Sequence, residues 1–123
     1  MDNAAVPPPI RDAPPAAVAL FRSLGDPTRL AILLRLVEGE ARVRDLVAVA
    51  GLAQSTVSAH LSCLRECGLV GSRSEGRSSR YFLARPELLG LLAAAEGLLA
   101  AGGEAVALCP SYGTRVANKE TSG

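Results

Sequence analysis

Three cysteines carry the chemistry open to this sequence, and two of them stand at helical spacing. Cys63 and Cys67 are four residues apart in a segment that reads as a helix, and Cys109 lies in a polar tail. On a helix, residues i and i+4 are neighbours, about 5–6 Å between Cβ atoms, close enough for two thiolates to share one ion. Thiolates are soft ligands and select soft or borderline ions over magnesium or calcium. A lone cysteine on a helix flank ordinarily packs as a small hydrophobe. A pair off the apolar stripe, with a third thiol that has no periodic apolar neighbours, argues against that reading. A disulfide within the pair is geometrically poor, because side chains one turn apart rarely meet the required torsion. An odd cysteine count in a reducing compartment points to free thiols, metal or redox chemistry rather than a disulfide framework.

The helix that holds the pair runs from about Gln54 to Cys67 and stops at Gly68. At about 100° per residue, Val57, Leu61 and Leu64 form one apolar stripe. Gln54, Arg65, Ser58, Ser62 and Ser55 fall on one flank, about 60° to 160° from Val57; all can bond phosphates or base edges. Cys63 and Cys67 fall on the opposite flank, at about 240° and 280°, beside His60 and Thr56. Core, polar face and thiol face therefore occupy separate sectors. His60 lies beside the stripe, where a packed, hydrogen-bonded imidazole is the expectation and ligation the alternative.

The other elements supply the frame. Residues 1–15 hold five of the eight prolines and read as a disordered arm. A short helix, about Ala16 to Leu24, leads to Gly25. Asp26 can cap the next helix and Pro27 suits its first turn. There Leu30, Leu33, Leu34 and Val37 recur at helical spacing up to Gly39. A third helix, about Val43 to Ala50, carries Val43, Leu46, Val47 and Ala50 on one face. After the helix with the thiols, residues 69–73 and 80–83 are β-prone and flank a polar tip, Ser74-Glu75-Gly76-Arg77-Ser78-Ser79, which predicts a hairpin. The last helix, about Pro86 to Ala101, is nearly all Leu and Ala, and Gly102-Gly103 precedes a flexible tail, 102–123. Helix, helix–turn–helix and hairpin make a mainly α, winged helix-turn-helix fold over residues 16–101. Its positioning helix is 43–50 and its recognition helix 54–67. A helix apolar all round is buried on more than one side, so a homodimer through the first and last helices is expected.

Composition narrows the function. With 123 residues, 49% of them hydrophobic but 3% aromatic, the chain affords one modest aliphatic core. The net charge is +1, so nucleic acid must be met by a local patch; Arg65, Arg73, Arg77 and Arg80 fall within 16 residues. Neither a long apolar run nor a basic-then-apolar leader is seen, so the expectation is a cytoplasmic protein with no membrane partner. One histidine, no nucleophile elbow and no phosphate-binding glycine loop speak against an enzyme.

Three separated motifs appear in order: Leu24-Gly25-Asp26-Pro27-Thr28-Arg29, Ser55-Thr56-Val57-Ser58-Ala59-His60-Leu61, and Gly76-Arg77 with Arg80-Tyr81. Together they resemble the ArsR/SmtB metal-sensing repressors. Leu61-Ser62-Cys63-Leu64-Arg65-Glu66-Cys67-Gly68-Leu69-Val70 is similar to the CmtR-type branch, and Cys109 stands about where that branch has its third thiolate. The resemblance implies a homodimer that binds a two-fold operator in double-stranded DNA when metal-free and releases it when the ion binds. The branch implies cadmium(II) or lead(II) as inducer, held by Cys63 and Cys67 of one protomer and Cys109 of the other. The His and carboxylate ligands that zinc, nickel and cobalt sensors place on the last helix are missing, since 86–101 offers only Glu87 and Glu96. The Cys-Val-Cys motif of many arsenite sensors is also missing at Arg42-Val43-Arg44.

A three-thiolate site suits lead(II) or arsenic(III); cadmium(II) wants a fourth donor, for which water, Glu66 or His60 are candidates. For DNA, the candidates are Gln54, Ser55, Thr56, Ser58 and Arg65 on the recognition helix and Arg77 and Arg80 on the wing. Three alternatives stay open: an arsenite sensor, a thiol redox sensor joining Cys63 or Cys67 to Cys109, and a winged-helix module for protein contacts.

Overall fold

The computed structural model describes residues 13–108. The proline-rich stretch before residue 13 and the tail from Cys109 onward, including the expectations of disorder there, lie outside the described residues. The elements are α1 (Pro15–Gly25), α2 (Pro27–Val37), β1 (Ala41–Arg42), α3 (Val43–Ala50), α4 (Gln54–Glu66), β2 (Val70–Glu75), β3 (Ser78–Leu83) and α5 (Glu87–Ala101).

Local signals set the helix starts. Asp26 accepts the Arg29 backbone N–H at 2.9 Å, with Pro27 in the first turn of α2. At α3 the cap runs the other way, Asp45 in the first turn reaching back to accept the Arg42 N–H at 3.0 Å. The helices α3 and α4 meet at 107°, within the range of a helix-turn-helix. Their buried faces converge on one aliphatic core: Ile32, Leu33 and Leu36 of α2, Leu46 of α3, Val57, Leu61 and Leu64 of α4, with Leu69, Val70, Leu88 and Leu92. The apolar stripe read on α4 is thus the buried one. On α2 the outcome differs from the periodicity: Leu30, Leu34 and Val37 are only partly buried, while Ile32 and Leu36 are fully so. The reason is its central place, since α2 packs against α1, α3, α4 and β3 at once.

The wing is longer and its turn tighter than the sequence suggested. Ser74, Glu75, Ser78 and Ser79 belong to the strands, with Glu75 opposite Ser78, so the tip is Gly76-Arg77 alone. Gly76 has φ +65° and Arg77 does not share the positive sign, the pattern of a type II′ turn with glycine first. Serine and glutamate are weak strand formers, but a tight turn and continuous pairing carry them into the ladder. The two-residue β1 was not foreseen. It pairs antiparallel with β3 (Ala41 opposite Tyr81, Arg42 opposite Arg80), giving a three-stranded sheet in the order β1-β3-β2.

Among the described residues no helix is long and apolar enough to cross a membrane. Within one chain α5 buries only Leu88, Leu92 and Glu96, leaving Leu98 76% exposed. The first helix likewise leaves Val18 and Phe21 exposed, the latter at 60%.

Candidate thiol site and nucleic-acid interface

Helix α4 separates its three sectors as its period requires. Gln54, Ser55, Ser62 and Arg65 are exposed and Ser58 is half-buried, while Thr56, also exposed, lies on the thiol side in the first turn. Arg65 and Ser62 line an open polar cleft of about 560 Å³ between α4 and the wing, together with Glu66 and Ser72. Glu66 therefore faces the wing side. On the other flank Cys63 is half-buried and Cys67 exposed, both as free thiols. Cys67 caps the helix, its backbone N–H donating to the Cys63 carbonyl at 3.0 Å, which keeps the two one turn apart.

Two other helices close on this flank. The Ser23 hydroxyl of α1, buried to 1% exposure, is 3.9 Å from Cys67 Sγ. Arg29 of α2 donates its Nε–H to Nδ1 of the half-buried His60 at 3.2 Å. His60 is thus the hydrogen-bonded imidazole expected, with Nδ1 engaged by a cation and not open to an ion. Cys109 lies outside the described residues, and among those described no group of three or more His, Cys, Asp or Glu is arranged to hold a metal. The two thiols alone still offer a soft, reachable donor pair.

The last described residues, up to Leu108, pack elsewhere. Glu96, buried on α5, accepts the Leu108 backbone N–H through Oε2. Leu108 packs on the core and lines a surface hollow with Ala31, Leu34, Arg35, Glu38 and Val49. On α2 those residues stand about 140–240° around from Arg29. Leu108 is therefore on the side of α2 away from Arg29 and its partner His60.

On the wing, the strand register places Arg42, Arg80 and Arg73 in one transverse row, one from each strand. Directly opposed residues share a face of the sheet, and like charges there repel. Two carboxylates offset the row. Glu75 accepts from Arg80 Nε at 3.0 Å and from Arg42 at 3.4 Å, and Glu40 pairs with Arg73. The hydrogen bond from Arg80, followed by its charge and by Arg42, holds the Glu75 carboxyl below its ordinary range. The Arg73 guanidinium also lies over the Phe82 ring, 5.6 Å from its centre. That ring occupies the space where a side chain at Gly71 would be, since a Cβ there would come within 2.6 Å of it. Arg80 is thus engaged by Glu75, whereas Arg77 at the tip and Arg65 on α4 are exposed and form no ion pair among the described residues. The residues missed from sequence are Ser23, Glu75 and Glu40. Only the cross-strand register could have pointed to the two glutamates: that of β2 with β3 brings Glu75 to Arg80, and β1 brings Arg42 and Glu40.

Comparison with known proteins agrees with this architecture. The model of the family described as bacterial regulatory protein, arsR family, matches residues 26–72. A probable mercury resistance operon repressor of Streptomyces lividans is 38% identical over 96 residues, 78% of this chain and 77% of that protein. The HTH-type transcriptional regulator CmtR of Mycobacterium tuberculosis is 51% identical over 73 residues, 59% of this chain and 62% of that one. The solved structure of the cadmium metal-sensor CmtR from the same organism superposes with a TM-score of 0.53 at 49% identity, covering 62% of this chain and 79% of that. With its winged helix-turn-helix and these relatives, the chain belongs to the arsR family of bacterial regulatory proteins, DNA-binding transcriptional regulators rather than enzymes.

Proposed function

We propose that this chain is a metal-responsive repressor. It binds operator DNA as a homodimer when metal-free and releases it when cadmium(II) or lead(II) is taken up by Cys63, Cys67 and Cys109. The observation that carries the reading is the placement of two free thiols one turn apart on the recognition helix, on the flank away from its exposed serines. Such thiols can turn or shift the helix without being contacts to DNA. The similarity to a protein described as a cadmium sensor supports the choice of ion.

The residues fit the ion chemically. Thiolates suit soft ions, and the bound ion supplies the charge that keeps its thiols deprotonated, so uptake releases protons and weakens at low pH. The resemblance to the CmtR-type branch favours ligation across the dimer. The partner's tail is then the source of the third thiolate. The exposed Val18, Phe21, Leu98 and Leu99 of α1 and α5 supply the apolar surface for that dimer. In the complex Gln54, Ser55, Thr56, Ser58 and Arg65 meet the major groove and its phosphates, Arg77 the backbone beside it, and Arg80 acts from within its pair with Glu75.

One titration tests the reading: thiolate-to-metal charge-transfer absorption and operator affinity, followed with cadmium(II), lead(II), arsenite and mercury(II), in wild type and Cys109→Ser. Mercury(II) belongs in the panel because the Streptomyces relative is described as a mercury resistance repressor. The expected result is a band with cadmium(II) or lead(II), a 5–150-fold loss of operator affinity, typical of about 1–3 kcal/mol of coupling, and a weaker site without Cys109. Operator affinity indifferent to all four ions rejects the sensor reading. Reversible loss of DNA binding under peroxide without metal would put a redox switch in its place.

A further inference from the structure

Ser23 has no part in the proposed ligand set, yet its placement is specific. It is the one fully buried residue of α1, a helix with Val18 and Phe21 exposed on its surface. A buried hydroxyl is costly without a partner. The partner here is Cys67 Sγ, 44 residues away in sequence on another helix. The same contact leaves Cys67 exposed on its other side, where an ion can reach it.

We propose that Ser23 is a positioning residue for the thiol site, its hydroxyl donating to the Cys67 sulfur once that residue is a ligating thiolate. The proposal rests on the thiol-ligation reading above. A hydroxyl is free to rotate, so the hydrogen that has no fixed direction in the metal-free protein can turn to an anionic sulfur. Donors behind a ligand fix its orientation, and losing one typically weakens metal binding about 10–100-fold. The arrangement is asymmetric, because among the described residues no side-chain donor stands at Cys63 in the same way. It also ties the site to α1, so that ligation at Cys67 bears on the helix that carries Phe21.

The test uses full-length Ser23→Ala, which removes one oxygen and keeps the volume of the site. Cadmium(II) affinity is measured by competition with a chelator, the charge-transfer band is recorded, and metal-free operator affinity serves as the check on folding. The expected outcome is a band moved to longer wavelength, as a thiolate that has lost its donor gives up an electron more easily. With it comes an about 10–100-fold loss of cadmium affinity and unaltered metal-free operator binding. Unchanged affinity with an unshifted band overturns the proposal. So does a variant that loses metal-free operator binding in equal measure, because that is the mark of a packing role alone. Absence of any band in the wild type is a distinct result: it removes the thiol-ligation reading before Ser23 is compared.

Discussion

The thiol flank of α4 and the outer face of the wing are built to opposite plans. On the wing the arginines come with their counterions: Glu75 holds Arg80 and Arg42, and Glu40 holds Arg73. The thiol flank has two soft donors, one hydroxyl behind Cys67, and no charged partner at either sulfur among the described residues. In the first region the row of three arginines has its counter-charges within the chain. The second holds donors without a counter-charge, which the proposed function assigns to an ion. The proposed function uses both kinds of surface, the paired one for DNA and the thiol flank for sensing.

Both regions hang on the same core, and the largest effect expected is on both together. Leu64→Ala, at a position with no exposure, should cost about 2–5 kcal/mol of stability, read by chemical denaturation. A variant that unfolds normally but has lost only one of the two functions would show that they do not share α4 as their support. Next in size is Cys67→Ser. Metal-free operator binding should persist, while the ion-induced release, about 1–3 kcal/mol in systems of this kind, disappears in a fluorescence anisotropy titration. Loss of metal-free binding as well would erase the separation of flanks.

The wing variants are smaller and sharpen the comparison from its other side. Arg77→Ala should weaken binding to specific and random DNA alike and reduce the salt slope by about 1. An unaltered slope takes the tip out of the interface. Glu75→Gln should do the reverse, freeing Arg80 and Arg42 and steepening the salt dependence on random DNA, with a change of at most about one tenfold step in affinity at moderate salt. A flat response would mean that this carboxylate has no influence on the arginines' availability. The Glu75 clamp also has a pH signature. Its folded pKa is lowered, so its contribution is present above the unfolded value and is lost as pH falls through the folded one. Hydrogen-ion titration of the Glu75 carboxyl by NMR should therefore place its midpoint below that of an ordinary glutamate.

Helix α4 was legible because its period is strong: Val57, Leu61 and Leu64 alone orient every other residue on it. The cap at Asp26 and the turn at Gly76 were legible because their residue types have few other uses. What was hidden is tertiary. Ala41 and Arg42 form a strand only because β3 is beside them, and nothing in two residues announces it. Without β1 there is no register to bring Arg42 to Glu75. Ser23 was hidden for the same reason, since a small polar residue in an apolar helix gives no sign of its partner 44 residues on. Propensity alone leaves the tip of the wing six residues wide, because the ladder that overrides it is not visible in the sequence.

The short connection between the two regions has a mechanical consequence. After Cys67 only Gly68 and Leu69 intervene before β2 begins at Val70, and β2 runs to Glu75, beside the Gly76-Arg77 tip. Six residues at about 3.4 Å each make a rigid arm of about 20 Å, so a turn of about 5° at its root sweeps Arg77 through about 2 Å. Hydrogen bonds do not survive such a stretch. The Phe82 ring seated over Gly71 and the Glu75–Arg80 pair tie β2 to β3, so both strands share such a turn. The wing is in this sense a lever whose fulcrum lies beside the thiols.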